Sequence, residues 1–343
     1  DRPRDSGLHQ RIAAIEACVA LHAAEPSRVL ERLHAASRYR DRSDADAWRI
    51  RAAAVTTLVQ VWDSAAIPVL IEMLGVEHGR LQLDATLALR TYTGQPFDTE
   101  QQTWQTWWHQ NRSTFTLPLQ PRTVHGVDYT RGTTTWANTR TTFKSIPVLS
   151  RRPLYLFDCS NFMHGPTLSL AGREVADLIN LLEADARTNI LTVRFERQEP
   201  PVSRPIWAFD NPASRSGSFL VRATPEQLQR ARQWIDSFRP HGFDDAWHGI
   251  SLALADPEVD TVYYLAWGLP NRGLFVEHDE ILREFKRANR FRRVCFHVIC
   301  SDGNASTQRY LRDLAISSGG LYQHFHVQKV DPVDSAGEGE HTD

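Results

Sequence analysis

The sequence contains few cysteines and no long hydrophobic run. The 343 residues include four cysteines, and none of them stands in a C-x-x-C pair. So few and so irregularly spaced cysteines exclude a small disulfide-rich framework, and we expect them to be small buried residues. No stretch approaches the roughly 20 consecutive apolar residues that a bilayer-spanning helix needs. The chain therefore resembles neither a disulfide scaffold nor a membrane-spanning protein. The cysteines are Cys18, Cys159, Cys295 and Cys300.

The sequence also lacks an excess of charge of either sign. Lys and Arg total 39, Asp and Glu total 41, and the formal net charge is −2. This balance gives no overall attraction for nucleic acid or for an acidic membrane, so a nucleic-acid partner would need a local basic patch. One such run is "KRANRFRR", residues 286–293, which holds five basic residues beside a predicted strand. It is either a solvated helix end or a contact for an acidic partner or a phosphate.

What the sequence does contain is enough apolar material for two domains. Hydrophobic residues make up 41% of the chain, and its length favours two domains over one. Residues 1–7 are predicted to be loose, and residues 8–115 to be helical. Segments such as "AWRIRAAAVTTLVQVWD" carry apolar residues at three- and four-residue spacing. Short amphipathic helices that follow one another in this way are typical of an α-solenoid.

The last helical segment contains a tryptophan cluster. Trp104, Trp107 and Trp108 have the spacing of one helix face, which favours a cap that closes the core over a stacking platform for bases or sugars. The segments "RAAAVTTLVQ", "AAIPVLIEMLG" and "LRTYTGQPFDTEQQTWQTWWHQN" together resemble HEAT repeats, and the last resembles the closing turn of bacterial HEAT arrays. We therefore expect residues 8–115 to form a short HEAT-like solenoid.

The second half of the chain changes character. Residues 116–150 are rich in Thr, Pro and Arg, and we expect a β-rich linker that wraps the next domain. From residue 151, continuous apolar segments such as "PLYLFDCS" alternate with amphipathic ones such as "STQRYLRDLAISSGG". This alternation predicts a doubly wound, mostly parallel sheet covered by helices on both faces. Ligands of such sheets bind at the carboxyl ends of the strands. Residues 329–343 are acidic and are predicted to be a flexible tail.

Four separated motifs carry a family resemblance over residues 151–328. They are "LYLFDCSNFMHG", "RPHGF", "VYYLAWGLPNRG" and "LRDLAISSGGLY", and in this order they resemble the von Willebrand factor A (VWA) domain. The resemblance implies a Rossmann-like sheet and a metal-ion-dependent adhesion site. In that family Mg²⁺ or Mn²⁺ is held by an Asp-x-Ser-x-Ser loop, a threonine and a second aspartate. Asp158 and Ser160 match the first two ligands.

Aromatic residues stand at the other three ligand positions. The third position of the loop falls on Phe162, the threonine position on Phe243, and the second aspartate on Trp267. A slip of one residue would place Asp244 at the threonine position instead. Two oxygen ligands are too few for Mg²⁺, so the resemblance implies a vestigial site without cofactor. The three aromatics either form an apolar interaction surface or pack inward.

These observations favour a non-enzymatic interaction or scaffold subunit of a larger assembly, whose partners are other proteins. A triad of Ser160, His164 and an aspartate lacks the G-x-S-x-G elbow, so we expect no catalysis. The first alternative is a Mg²⁺- or Mn²⁺-dependent adhesion module in which Asp158, Ser160 and either Asp244 or Asp245 form a rearranged site. The second is RNA binding, because HEAT repeats with a VWA domain also resemble the Ro RNA-binding proteins.

We also expect an exported protein. Bacterial proteins that join HEAT repeats directly to a VWA domain resemble this chain more closely than the Ro proteins do, and many of them carry export signals. The sequence begins at Asp1 rather than at a methionine, which agrees with processing of a longer precursor.

Overall fold

The N-terminal part of the chain is helical. The computed structural model describes residues 3–41, 46–119, 136, 141–158, 165–179, 181–183, 185–196, 202–209, 217–222, 224–237, 243, 245–268, 270–301 and 304–325. Within these residues the N-terminal helices are α1 Pro3–Leu21, α2 Pro26–Ser37, α3 Ala47–Val61, α4 Ala66–Val76, α5 Arg80–Thr93 and α6 Gln101–Asn111. Helix α1 begins at Pro3, earlier than the predicted start at residue 8, and a proline is well tolerated in a first helical turn.

The six helices share one apolar core, to which side chains such as Ile12, Leu33 and Leu58 contribute without any exposure. Helix α6 closes this core. The Trp104 ring is fully buried, and its indole N–H donates to the carbonyl of Asp98 at 2.7 Å. These contacts confirm the prediction that Trp104 packs in the core. No described helix has both the length and the apolar character that a membrane span requires.

Residues 141–150 of the linker pack against the second domain. Strands β1 Thr142–Phe143 and β2 Ile146–Pro147 form a short antiparallel hairpin. Phe143, Ile146 and Val148 are buried in the same core as the sheet that follows. Much of the expected β-rich linker, residues 116–150, lies outside the described residues. In its described part, apolar side chains of the hairpin complete that core. The tail at residues 329–343 lies outside the described residues.

The second domain is a seven-stranded sheet. Its strands run in the order β5-β4-β3-β7-β8-β9, with β6 paired to β4. Strands β3, β4, β7, β8 and β9 are mutually parallel, and β5 and β6 are antiparallel to β4. Counted along the chain without β6, this is the order 3-2-1-4-5-6 of doubly wound folds. The strands are β3 Pro153–Phe157, β4 Arg187–Glu196, β5 Val202–Trp207, β6 Val221–Arg222, β7 Thr261–Ala266, β8 Cys295–Ser301 and β9 Tyr322–Phe325.

Helices cover both faces of the sheet, as predicted. On one face lie α7 Gly165–Ile179 and α8 Pro225–Ser237, which share a core with Tyr155 and Phe157. On the other lie α9 Ala246–Ala255, α10 His278–Asn289 and α11 Ala305–Ser317, which share a core with Leu154 and Leu156. Successive residues of β3 point to opposite faces, and both faces are apolar because both are covered.

Candidate functional site

The topological switch point of the sheet lies between strands β3 and β7. The crossovers leave these two neighbouring strands in opposite directions, which opens a crevice at their carboxyl ends. Asp158 follows β3 and Trp267 follows β7. The backbone N–H of Asp158 donates to the carbonyl of Leu265 at 2.9 Å, which extends the ladder by one residue and fixes the start of the next loop.

The Asp158 carboxylate is buried, with only 4% of the residue exposed. Its Oδ2 accepts a hydrogen bond from the backbone N–H of Trp267 at 3.3 Å. A buried carboxylate needs donors that compensate for lost hydration. The switch point supplies one of them from the main chain of Trp267, so the two predicted site residues are in direct contact.

A second buried carboxylate belongs to Asp245, at the start of helix α9. Asp245 is the N-cap of this helix, and its Oδ1 accepts from the backbone N–H of His248 at 3.1 Å. Asp158 and Asp245 both line a small cavity of about 10 Å³, whose other walls include Leu156 and Gly249. A cavity of this size holds about one water molecule. The structure therefore places the two carboxylates around one small space.

The loop after β7 closes over Asp245. Gly273 has a φ of +106°, and a Cβ added there would lie 2.1 Å from Oδ1 of Asp245. The backbone approaches the carboxylate so closely that only glycine fits. The preceding residue, Arg272, places its guanidinium over the ring of Phe243, 4.7 Å from the ring centroid. Sequence reasoning missed both residues, although the turn-forming "PNRG" after an apolar strand indicated a tight loop.

The aromatic residues are partly covered. Trp267 is half-buried and packs against the core that lies under α7 and α8. Phe243 is also half-buried, two residues before the N-cap Asp245 and below Arg272. Trp267 and Phe243 thus combine packing contacts with some accessible surface. The other predicted site residues, Ser160, Phe162 and Asp244, lie outside the described residues.

Among the described residues, the candidate oxygen donors for Mg²⁺ or Mn²⁺ at this site are the carboxylates of Asp158 and Asp245. These ions prefer octahedral coordination by oxygen, and Mg²⁺ usually retains several waters. In the described part of the chain, no group of three or more His, Cys, Asp or Glu side chains is placed to hold a metal. Asp158 and Asp245 supply carboxylates, but Phe243 and Trp267 supply no side-chain oxygen. The Asp158 carboxylate accepts from a main-chain N–H, which is the kind of donor that can take the place of a cation.

Comparisons with known proteins found similarity to solved structures. No protein-family model and no curated protein matches the sequence. Among solved structures, a von Willebrand factor type A protein from Catenulispora acidiphila matches with 14% identity and a TM-score of 0.38, over 53% of this chain and 40% of that one. Proximal thread matrix protein 1 from the mussel byssus matches with 16% identity and a TM-score of 0.34, over 50% and 40%. The SpRpn10 VWA domain matches with 12% identity and a TM-score of 0.34, over 51% and 87%.

Two of these three structures are VWA domains or proteins by name, and each match covers about half of this chain. The chain spans less than half the length of the first two structures. At these identities and TM-scores the similarities carry no information about function.

Proposed function

We propose that this chain is a non-enzymatic interaction or scaffold subunit, and that its VWA-like domain binds another protein without a metal bridge. The observation that carries the proposal is the hydrogen bond from the Trp267 N–H to Oδ2 of Asp158. A metal-bridged adhesion site would use both of these positions as carboxylate ligands. Here one of them is a tryptophan, whose main-chain N–H donates a hydrogen bond to the remaining carboxylate.

The proposed contact surface consists of Phe243, Trp267 and Arg272, at the carboxyl ends of the strands. Aromatic and arginine side chains are the commonest anchors at protein interfaces, because they combine a large apolar area with directed polar contacts. The two rings are half-buried, so each is held in place before a partner arrives. Such preorganisation reduces the entropy lost on binding. We further propose that helices α1–α6 form a short HEAT-like solenoid that presents a second interaction surface.

The test is capture of a partner by the immobilised full chain, followed by measurement of its affinity. The variants Trp267→Ala and Phe243→Ala are each expected to weaken binding about 30-fold, the usual effect of removing an interface anchor. The matched control is Phe219→Ala, because Phe219 is an exposed aromatic that stacks on Trp207 elsewhere in the domain. Affinity is expected to be the same in chelator and nearly the same at low and high salt. Equal binding by all three variants would refute the proposal.

The second candidate is a metal-dependent adhesion module with a rearranged site. Its support is that Asp158 and Asp245 line one cavity. This candidate predicts that a chelator abolishes capture of the partner and that Mn²⁺ or Mg²⁺ restores it. RNA binding, the third possibility, predicts instead that affinity falls steeply with salt concentration.

A further inference from the structure

The N-terminal helices and the sheet domain contact each other at the end of the sheet opposite the switch point. We call this contact region the joint. Arg80, the first residue of helix α5, is buried, and its guanidinium donates to the carbonyl of Asp260 at 3.1 Å and to the carbonyl of Arg293. Its Nε lies 3.1 Å from Oδ2 of Asp84, one helical turn away. Asp260 precedes β7 and Arg293 precedes β8, so the joint lies at the amino ends of the strands.

A cavity of about 500 Å³ lies at this joint. Helices α1, α3 and α5 of the N-terminal part form one side, and the carboxyl ends of α10 and α11 form the other. Cavities of roughly 300–1,000 Å³ between two units of a protein are the usual size and place for small-molecule sites. The site described at the switch point uses none of these residues.

One wall of the cavity is apolar. Val55 and Val59 of α3 and Leu87 and Ala88 of α5 line it, and Ile316 of α11 lies opposite them. Ile316 is 40% exposed, so part of its side chain is accessible to a ligand. These residues offer an aliphatic surface to a ligand, and a ligand that covered it would remove that surface from water.

The other wall carries an excess of positive charge. Lys286, Arg290 and Arg293 line the cavity and belong to the basic run found in the sequence. Glu16 pairs with both arginines, at 2.8 Å from Arg290 Nη2 and in close contact with Arg293. One carboxylate is thus shared by two guanidinium groups. In the part of the chain that the structure describes, Lys286 forms no ion pair, and the Nε of Arg293 is buried without a hydrogen-bond partner.

We propose that this cavity binds a small organic anion, a carboxylate or a phosphate monoester with an aliphatic chain. The acid group lies against Lys286, Arg290 and Arg293, and the chain lies on Val59, Leu87 and Ile316. Charge-assisted hydrogen bonds to an anion are stronger than those between neutral groups, and arginine holds carboxylate and phosphate oxygens in pairs. The ligand contacts both parts of the chain, so its binding strengthens the joint. This site is independent of the protein partner proposed above.

The experiment is calorimetric titration of the full chain, with thermal melts alongside. The probes are hexanoate, hexyl phosphate, hexanol and inorganic phosphate. Hexanoate, hexyl phosphate or both are expected to bind saturably with one site per chain and to raise the melting temperature. Comparison of these two distinguishes a carboxylate from a phosphate ligand. Hexanol and inorganic phosphate, which each lack one half of the proposed ligand, are expected to bind at least tenfold more weakly.

Two variants locate the binding. Lys286→Gln removes an exposed cation without disturbing an ion pair and is expected to weaken binding of the anion about tenfold. Val59→Trp fills the cavity from its apolar wall and is expected to abolish binding. The matched control is Arg283→Gln on the same helix, because Arg283 faces Glu280 and Glu284 and does not line the cavity. Binding by none of the probes at millimolar concentration would overturn the proposal, as would equal affinity in wild type, Lys286→Gln and Val59→Trp.

Discussion

The backbone N–H of Trp267 lies 3.3 Å from Oδ2 of Asp158 and donates a hydrogen bond to it. The two residues follow adjacent parallel strands, so the sheet itself sets their separation. In the VWA family, which the sequence resembles, both positions carry aspartate and both aspartates are ligands of the cation. In this chain the second position contributes its main chain to the first, and its indole packs on the core.

The first prediction concerns the stability of this contact. Asp158→Ala leaves the Trp267 N–H without its acceptor and is expected to lower the free energy of unfolding by about 1–3 kcal/mol. Asp158→Asn retains a carbonyl oxygen and is expected to lower it by less. Urea unfolding in chelator measures both. If instead Asp158→Ala stabilised the protein in chelator, Asp158 and Asp245 would be repelling each other as in an emptied metal site.

The second prediction concerns the loop that covers Asp245. Gly273→Ala places a Cβ against the carboxylate at a φ that strains any L side chain, and should destabilise the protein by at least about 2 kcal/mol. The control lies in the same loop. Gly268→Ala places its Cβ in open space and should change stability by less than about 0.5 kcal/mol. Equal stability of the two variants would show that the loop does not rest on Asp245.

The third prediction concerns the joint. Arg80→Met leaves the carboxylate of Asp84 buried without its cation and should cost about 3–5 kcal/mol in urea unfolding. The double variant Arg80→Met/Asp84→Leu removes both charges and should be more stable than Arg80→Met alone. As a control, Arg283→Met removes the exposed partner of Glu280 and should cost less than about 1 kcal/mol. Additive effects of the two joint substitutions would contradict a coupled buried pair.

The fourth prediction concerns pH. Burial raises the pKa of Asp84 from 3.8 to about 6, against the opposing effect of Arg80. The folded chain therefore binds this proton more tightly than the unfolded chain does. Protonated Asp84 therefore contributes fully to the stability of the fold below about pH 4, and this contribution is lost as the pH rises through about 6. Relative to Asp84→Asn, the wild type should lose about 2 kcal/mol of stability between pH 4 and pH 7.

Urea unfolding of both proteins at several pH values measures this difference. A difference between them that stays constant from pH 4 to pH 7 would contradict the raised pKa of Asp84.

Sequence patterns predicted those strands and helices whose burial is evident from their own apolar residues. Strands β3, β7 and β8 are fully buried and read as continuous apolar runs, and the helices between them have one apolar face. Strand β5 was missed, because it lies at the edge of the sheet and contains Pro205. An edge strand tolerates a proline and polar residues, so it shows no apolar run.

The candidate site was predicted only in part. Asp158 and Trp267 were found through the resemblance to the VWA motifs. Each also directly follows a predicted strand, and the switch point brings such positions together. The contact of Gly273 with Asp245 depends on the path of a loop, which residue patterns do not specify. The bonds from Arg80 to the carbonyls of Asp260 and Arg293 join residues about 180 or more positions apart in the chain. These bonds depend on how the N-terminal helices pack against the sheet domain, and local residue patterns do not predict that packing.

The most direct test of the central claim is calorimetric titration of Mg²⁺ and Mn²⁺ into the chelator-treated full chain, with thermal melts alongside. If the Trp267 N–H takes the place of a cation at Asp158 and aromatic residues stand at three of the five ligand positions, neither ion should give saturable heat or raise the melting temperature at millimolar concentration. Saturable heat with one site per chain that Asp158→Ala abolishes would contradict the account and would establish a metal-dependent adhesion site.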